Sequence, residues 1–271
     1  MEYIPDLISV IMGIYNCADT LSEAIDSILA QTYDKWELIL CDDGSMDDTF
    51  DVAEKYASLY PFKIILLKNE ANCGLNFTLN KCLKYAKGEY IARMDGDDIS
   101  TQDRFSKEIS VLQENPEYAI VSTPMIYFDE HGDWGRNYLK EIPQRRDLIH
   151  GSPHNHAPCV IRHEAFCTVN GYTEDERLLR VEDYDLWVKL YAAGYRGYNL
   201  SEPLYKMRDD YNAYKRRNFQ NRINEAYSRT LCVRRLELPI WYYLYALRPI
   251  LVGLLPQKMY DILHKHKLRG K

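Results

Sequence analysis

The densest chemistry in this 271-residue chain is Asp95-Gly96-Asp97-Asp98, three carboxylates within four positions. Like charges this close disfavour one another's ionisation unless water or a cation relieves them. Hard oxygen ligands in this number suit Mg2+ or Mn2+, ions that commonly bridge carboxylates to phosphate groups. The competing use is a solvated turn bent at Gly96. A second acidic pair, Asp42-Asp43, stands before Gly44-Ser45. A carboxylate there can accept from a ribose hydroxyl or a base N–H, while Ser45 or Asp47 can cap a following helix. Glu182-Asp183 opens a third cluster, where a charged, well-aimed carboxylate can act as a general base or simply cap a helix. Tyr15 offers a ring face for stacking on a base, or a plain wall at a strand end. His154 and His156 lie two positions apart in a Pro-bounded loop, where they can bind metal or make ordinary hydrogen bonds.

These residues need elements to position them. Residues 7–12 (LISVIM), 36–41 (WELILC), 63–67 (KIILL) and 89–94 (EYIARM) are short apolar runs suited to buried strands. Helical spacing fills the intervals, over about Leu21–Gln31, Asp48–Ser58 and Thr78–Tyr85. Strand–helix alternation predicts parallel crossovers and a doubly wound α/β sheet. Ligands gather at the carboxyl ends of the strands in such sheets. Tyr15, Asp42-Asp43 and Asp95–Asp98 all fall at those ends, so one edge brings them together.

After about residue 100 the alternation weakens. A helix is expected over 102–115, a strand over 119–123 and an irregular stretch holding His150, His154 and His156. Residues 183–193 (DYDLWVKLYAA) open on acids and end at Gly194, the usual polarity of a helix. A basic helix is expected from about Asn212 to Leu236.

An apolar fraction of 46% supports a full hydrophobic core. Seven scattered cysteines with no CxxC pair read as reduced thiols, and the N-terminus carries no signal-peptide pattern. The charge is divided. Residues 205–271 hold 15 Lys and Arg against 5 Asp and Glu, whereas residues 1–204 hold 19 against 35. A basic tail on an acidic body suits an anionic surface. Residues 240–255 (IWYYLYALRPILVGLL) are apolar and aromatic, but Arg248-Pro249 interrupts them. A bilayer span takes about 20 apolar residues, so an interfacial segment fits better. Trp241, Tyr242, Tyr243 and Tyr245 would anchor it, with Lys258, Lys265, Lys267, Arg269 and Lys271 facing anionic lipid. The alternative is a helical hairpin packed on the domain or on a second copy of the chain, a homodimer.

Together, ISVIMGIYN (8–16), ILAQTYDKWELILCDDGSMDDT (28–49), NEANCGLNFTLNKCLKYAKGEYIARMDGDD (69–98), HAPCVIRHEAF with VNGY (156–172) and VEDYDLW (181–187) resemble the family 2 glycosyltransferases. The resemblance covers about residues 7–210. It implies a GT-A fold, a Rossmann-like and mostly parallel central sheet with flanking helices, followed by a C-terminal helical extension. The nucleotide-sugar half would be 1–100, the acceptor half 101–211 and a membrane-associating extension 212–271. The implied reaction is inverting, metal-dependent transfer of a sugar from a nucleotide-diphosphate sugar to a hydroxyl. By resemblance Tyr15 and Asp43 hold the base, Asp42 and Arg93 line the nucleotide pocket, and Asp95 approaches the ribose or diphosphate. Asp97 ligates Mn2+ or Mg2+, and Asp183 is the general base. Uridine is the expected base, with thymidine second.

This sequence departs from the family in three places. Gly13 stands where a Pro is usual, the QxxRW of processive synthases is absent, and Asp209-Asp210 follow Arg208 where many relatives carry a metal-binding His. The absence of QxxRW implies one sugar per encounter, and Arg208 or Lys206 is left to neutralise the diphosphate. The tail resembles those of bacterial surface-polysaccharide enzymes, which implies a lipid-linked saccharide acceptor at the inner face of the cell membrane and a cytoplasmic, peripheral location. Nucleic acid is not an expected partner. Two other readings share parts of this pattern: a sugar-phosphate nucleotidyltransferase, which would want a Gly-rich basic loop where Tyr15-Asn16-Cys17-Ala18 stands, and a non-catalytic nucleotide-sugar binder.

Overall fold

The computed structural model describes residues 3–209 and 219–254. Its first half follows the sequence pattern closely: β1 (Ile4–Ile14), α1 (Ala18–Leu29), β2 (Trp36–Asp42), α2 (Thr49–Leu59), β3 (Ile64–Lys68), α3 (Leu75–Leu83) and β4 (Gly88–Arg93). All seven residues of β2 are buried, as expected of a strand covered on both faces. The second half adds β5 (Ile99–Ser100), α4 (Arg104–Glu114), β6 (Ile120–Ser122), β7 (Met125–Asp129), β8 (Gly132–Arg136), β9 (Val160–Arg162), α5 (His163–Thr168), α6 (Glu182–Ala192), β10 (Gly197–Asn199) and β11 (Tyr205–Arg208). A 3-10 helix, Arg145–His150, lies between β8 and β9.

Seven strands form the main sheet in the order β10-β6-β9-β4-β1-β2-β3. Its pairings are parallel except at β9, which runs antiparallel to both β4 and β6. Side chains on successive strand residues point to opposite faces. Ile11, Ile39, Ile91 and Ile161 therefore enter one core, with Leu186 and Trp187 of α6. Val10, Leu38, Ala92 and Val160 enter the other, with Ile25 of α1 and Phe105 of α4. A smaller sheet, β5-β11-β7-β8, stands beside the acidic loop that follows β4. The sequence pattern predicted none of its four strands.

The last described elements are α7 (Phe219–Arg235), α8 (Tyr243–Ala246) and α9 (Arg248–Gly253), with a 3-10 turn at Ile240–Tyr242. The helix expected over 212–236 coincides with α7 in its later part, while residues 212–218 lie outside the described residues. So do Lys258, Lys265, Lys267, Arg269 and Lys271. Helix α7 packs against α6 and α9. No helix of the described residues is long and apolar enough to cross a membrane.

Candidate active site

Three parallel strands, β1, β2 and β4, end side by side and carry the predicted clusters to one edge. Beyond β1, the Tyr15 ring is 45% exposed, which leaves a face free for stacking. Asn16 turns the chain with a positive φ, and its side chain and backbone are tied to Met46 and Ser45. Asp47 and Thr49 accept from the N–H groups of Ala18 and Cys17, satisfying backbone donors that open α1. The first two strand-end loops are thereby joined into one rigid floor.

Asp42 and Asp43 point to different tasks. Asp42 is fully buried, and its carboxylate accepts from the Ser45 N–H. Asp43 Oδ1 accepts from Asn69 Nδ2 at 2.8 Å and Cys73 N at 2.9 Å, and Oδ2 from Gly74 N at 2.9 Å. A carboxylate offers about four lone-pair sites, so Oδ2 keeps one for a ligand N–H. Gly44 lies against this loop in the left-handed region, φ 73°, where an added Cβ would stand 2.7 Å from the Ala71 carbonyl carbon. Only glycine fits. The loop contacts of Asp43 carry no motif of their own, although the turn-rich string NEANCG marks the place.

At the end of β4, one carboxylate oxygen from each of Asp95, Asp97 and Asp98 lies within 4.8 Å of the others. Asp95 forms an ion pair with Arg93, and its N–H donates to the Tyr205 hydroxyl. Burial works against the Arg93 charge, but the combined pull of Asp95, Tyr205, Tyr172 and Cys159 more than offsets it and keeps the guanidinium charged. Desolvation, reinforced by Asp95, pushes the Asp97 carboxyl up to about 6. Asp98 is buried and pushed the same way, also chiefly by desolvation. Its Oδ1 accepts from Arg208 N, and the Tyr205 hydroxyl also favours its ionised form. Three carboxylate oxygens within 4.8 Å of one another, two of them on carboxyls that resist ionisation, fit a site completed by a divalent cation.

Arg208 lies over this cluster at the end of β11. Its Nε donates to the Asp97 carbonyl, Nη2 pairs with Glu23 of α1, and the guanidinium rests on the Phe128 ring. Lys206 instead pairs with Asp133 across the smaller sheet.

The far wall of the cleft is the start of α6. Asp183 accepts from the Ser152 hydroxyl at 3.1 Å. Burial raises its carboxyl above the ordinary range, opposed by the Tyr184 N–H, Ser152 and Arg93. Glu182 beside it is also raised, first by burial and then by Asp183. Arg93 attracts both Asp97 and Asp183, so its guanidinium lies within electrostatic reach of the acidic loop and of the start of α6. Ser152 was not among the expected site residues, because an exposed serine in an irregular stretch gives no sequence signal.

The histidines belong to the core. His154 Nδ1 is 2.7 Å from Asn199 Oδ1, and Nε2 is 3.0 Å from the Tyr191 hydroxyl. The Asn199 amide nitrogen already donates to the carbonyls of Lys140 and Pro153, so its oxygen accepts and His154 donates from Nδ1. His156 Nε2 meets the Tyr172 hydroxyl at 2.8 Å. Both rings are held neutral by burial, and neither joins the acidic cluster.

Known proteins share the sequence pattern and the fold. The family model Glycosyl transferase family 2 matches residues 9–168. The putative glycosyltransferase EpsE of Bacillus subtilis (strain 168) is 43% identical over 264 residues, 97% of this chain and 95% of that protein. The amylovoran biosynthesis glycosyltransferase AmsE of Erwinia amylovora is 30% identical over 275 residues, 97% of this chain and 100% of that protein. Among solved structures, S. aureus TarS 1-349 in complex with UDP-GlcNAc superposes with a TM-score of 0.69 at 18% identity, covering 93% of this chain and 77% of that 1-349 chain. That likeness is one of fold.

Proposed function

The chain belongs to glycosyl transferase family 2, and on that premise we propose that it transfers a single sugar, with inversion, from a uridine-diphosphate sugar to a hydroxyl of a lipid-linked saccharide in surface-polysaccharide synthesis. The observation that carries the reading is a cluster of three carboxylates that could hold a metal ion, with a second buried carboxylate, Asp183, under the pull of the same Arg93. The first would hold a cation and diphosphate, the second would accept a proton.

Tyr15 would stack on the base, and Asp43 Oδ2 would accept its N–H. Asp42 supports them from beneath through the Ser45 turn. Asp95, paired with Arg93, would receive a ribose hydroxyl. Asp97, with Asp98 beside it, would hold Mn2+ or Mg2+, which when bound offsets charge developing on the diphosphate. Arg208 adds a fixed positive charge at the same place. Asp183 would take the proton of the acceptor hydroxyl as that oxygen attacks the anomeric carbon from the face away from the nucleotide. A single displacement turns an α-linked donor sugar into a β-linked product. The raised Asp183 carboxyl is a stronger base than an exposed aspartate, which helps it draw a proton from an alcohol.

Residues 1–100 would serve the nucleotide sugar, 101–211 the acceptor, and 212–271 the membrane. Support for the last comes from the described part of the extension. Ile240, Trp241, Leu244, Leu247, Leu251 and Leu254 are each more than half exposed, a larger apolar face than soluble chains usually leave uncovered. The basic residues beyond 257 would meet anionic headgroups at the inner surface of the membrane. The name of the Escherichia coli glucosyltransferase WfaP, 40% identical over 108 residues or 40% of this chain, gives a diphosphoundecaprenol-linked sugar and supports the acceptor class; that of AmsE supports polysaccharide biosynthesis.

A thermal-shift panel of UDP, dTDP and GDP sugars, with and without Mn2+, tests the nucleotide assignment. A cation-dependent shift selective for uridine is expected. Pyrophosphate release from a nucleoside triphosphate and a sugar phosphate would instead mark a nucleotidyltransferase.

A further inference from the structure

Between the 3-10 helix Arg145–His150 and β9 the chain passes through Gly151 in a conformation, φ 148° and ψ −174°, that is essentially reserved for glycine. That turn presents the next residue to Asp183. The Ser152 hydroxyl donates to Asp183 Oδ2 at 3.1 Å although the serine is otherwise exposed. The presentation is fixed from behind by buried contacts. Leu148 and Ile149 are fully buried. The Leu148 carbonyl accepts from the Tyr184 hydroxyl at 2.8 Å, and Tyr184 is the neighbour of Asp183 on α6. The Ile149 carbonyl accepts from Arg229 Nη1 of α7 at 2.6 Å, and the His150 ring meets Tyr245 edge-on. The segment is therefore bolted to the helix that carries the carboxylate at one point and reaches it at another.

We propose that Gly151-Ser152 is the positioning element of the catalytic carboxylate, with the Ser152 hydroxyl holding Asp183 Oδ2 so that Oδ1 faces the acceptor hydroxyl. This rests on the reading of Asp183 as general base. A carboxylate at the start of a helix swings about two side-chain torsions; backbone N–H groups of its own helix hold it from one side, and the Ser152 hydroxyl is the side-chain donor that fixes Oδ2. Misdirection of a reacting group by about 1 Å lowers the rate by roughly 100-fold. Asp183 faces Arg93 of β4, Tyr172 before α6, Glu182 on its own helix and Ser152. Among these, Ser152 is the exposed group whose removal disturbs no buried packing.

The test uses the full chain with Mn2+, UDP-glucose and UDP-N-acetylglucosamine as donors, a lipid-linked saccharide acceptor, and aspartate carboxyls labelled with 13C. Ser152→Ala is expected to lower kcat roughly 10- to 100-fold with the donor KM unchanged. The Asp183 titration midpoint seen by NMR, which needs no substrate, should move up because the ionised carboxylate loses a hydrogen-bond donor. Ser152→Thr should restore both. Gly151→Ala, which leaves the hydroxyl in place but denies the chain its turn, should reproduce the Ser152→Ala effects. An unchanged midpoint and kcat in Ser152→Ala, with Asp183→Asn inactive, overturns the positioning role and leaves the base intact. A fully active Asp183→Asn overturns the base, and the catalytic part of the proposal falls with it, even where Ser152→Ala still moves the midpoint.

Discussion

Arg235, in the last turn of α7, forms an ion pair with Asp185, in the first turn of α6 and two residues from Asp183. Asp185 is 2% exposed and also accepts from the Thr173 hydroxyl at 2.6 Å. The C-terminal helical layer therefore grips the helix that borders the cleft. Arg235→Leu leaves a buried carboxylate with one neutral partner. A loss of about 2–3 kcal/mol is expected, the low end for a broken buried pair because the guanidinium is partly hydrated. Urea unfolding at pH 7 measures it. A variant within a few tenths of a kcal/mol of the parent would mean that water replaces the guanidinium at no cost.

Asp183→Asn keeps the shape of the side chain and removes its basicity. A fall in kcat of about 100- to 10,000-fold is expected, with the donor KM little changed. In the parent enzyme the base works when ionised, so activity rises with pH through the Asp183 pKa. Burial raises that pKa, so the acid limb of kcat should lie above the range of an ordinary aspartate. A limb at the ordinary position would assign it to another group.

The acidic cluster predicts two effects of opposite sign. Without cation, Asp97→Asn removes one of three crowded charges and should raise the melting temperature slightly. With Mn2+, the parent gains stability by mass action, about 2.7 kcal/mol at one hundred times the Kd, and the variant should gain much less. Calorimetry with EDTA and with Mn2+ separates the two. Equal gains in both proteins would place the cation elsewhere.

His154 makes the fold acid-sensitive. Burial lowers its pKa from 6.5 to about 4. Between those values the unfolded chain binds a proton that the folded chain refuses, so stability falls as pH drops through this window and is intact above it. The loss by pH 4 is about 3 kcal/mol for this ring, with His156 adding in the same direction. Urea midpoints between pH 7 and 4 should slope downward, and His154→Gln should flatten the slope. An undiminished slope would point to other groups.

The exposed apolar face of the last helices gives a binding prediction. Trp241→Ser with Leu244→Ser, both well exposed, should weaken binding to vesicles of anionic phospholipid without lowering the melting temperature. Unchanged vesicle binding, with a change of mass in solution instead, would assign the face to a second copy of the chain.

Much of the first half was legible because its elements are long and strongly patterned. β2 is apolar at nearly every position, and α1 shows one clear stripe, so period and burial agreed. The smaller sheet was not legible. β8 reads GDWGR and β5 is two residues long, so neither carries enough apolar alternation to be seen without its partners. Tyr15, Asp43, Asp95, Asp97 and Asp183 stand in ordered motifs at strand or helix ends, so their placement at those ends was legible. Ser152 comes to Asp183 only through a long-range contact, and the burial of Asp98 depends on how β11 packs over the loop. The histidine pair shows the converse limit, since spacing alone cannot separate a metal ligand from a ring buried between hydroxyls and amides.

The three hydrogen bonds gathered by Asp43 act as a ruler for the connection between β3 and α3. Asn69, Cys73 and Gly74 reach the same carboxylate at this loop length, so an inserted or deleted residue between Asn69 and Cys73 would pull at least one donor away. The exposed Glu70 and Asn72 make no part of that grip. Substitution at those two positions should leave the loop's path unchanged, whereas a change of its length would not.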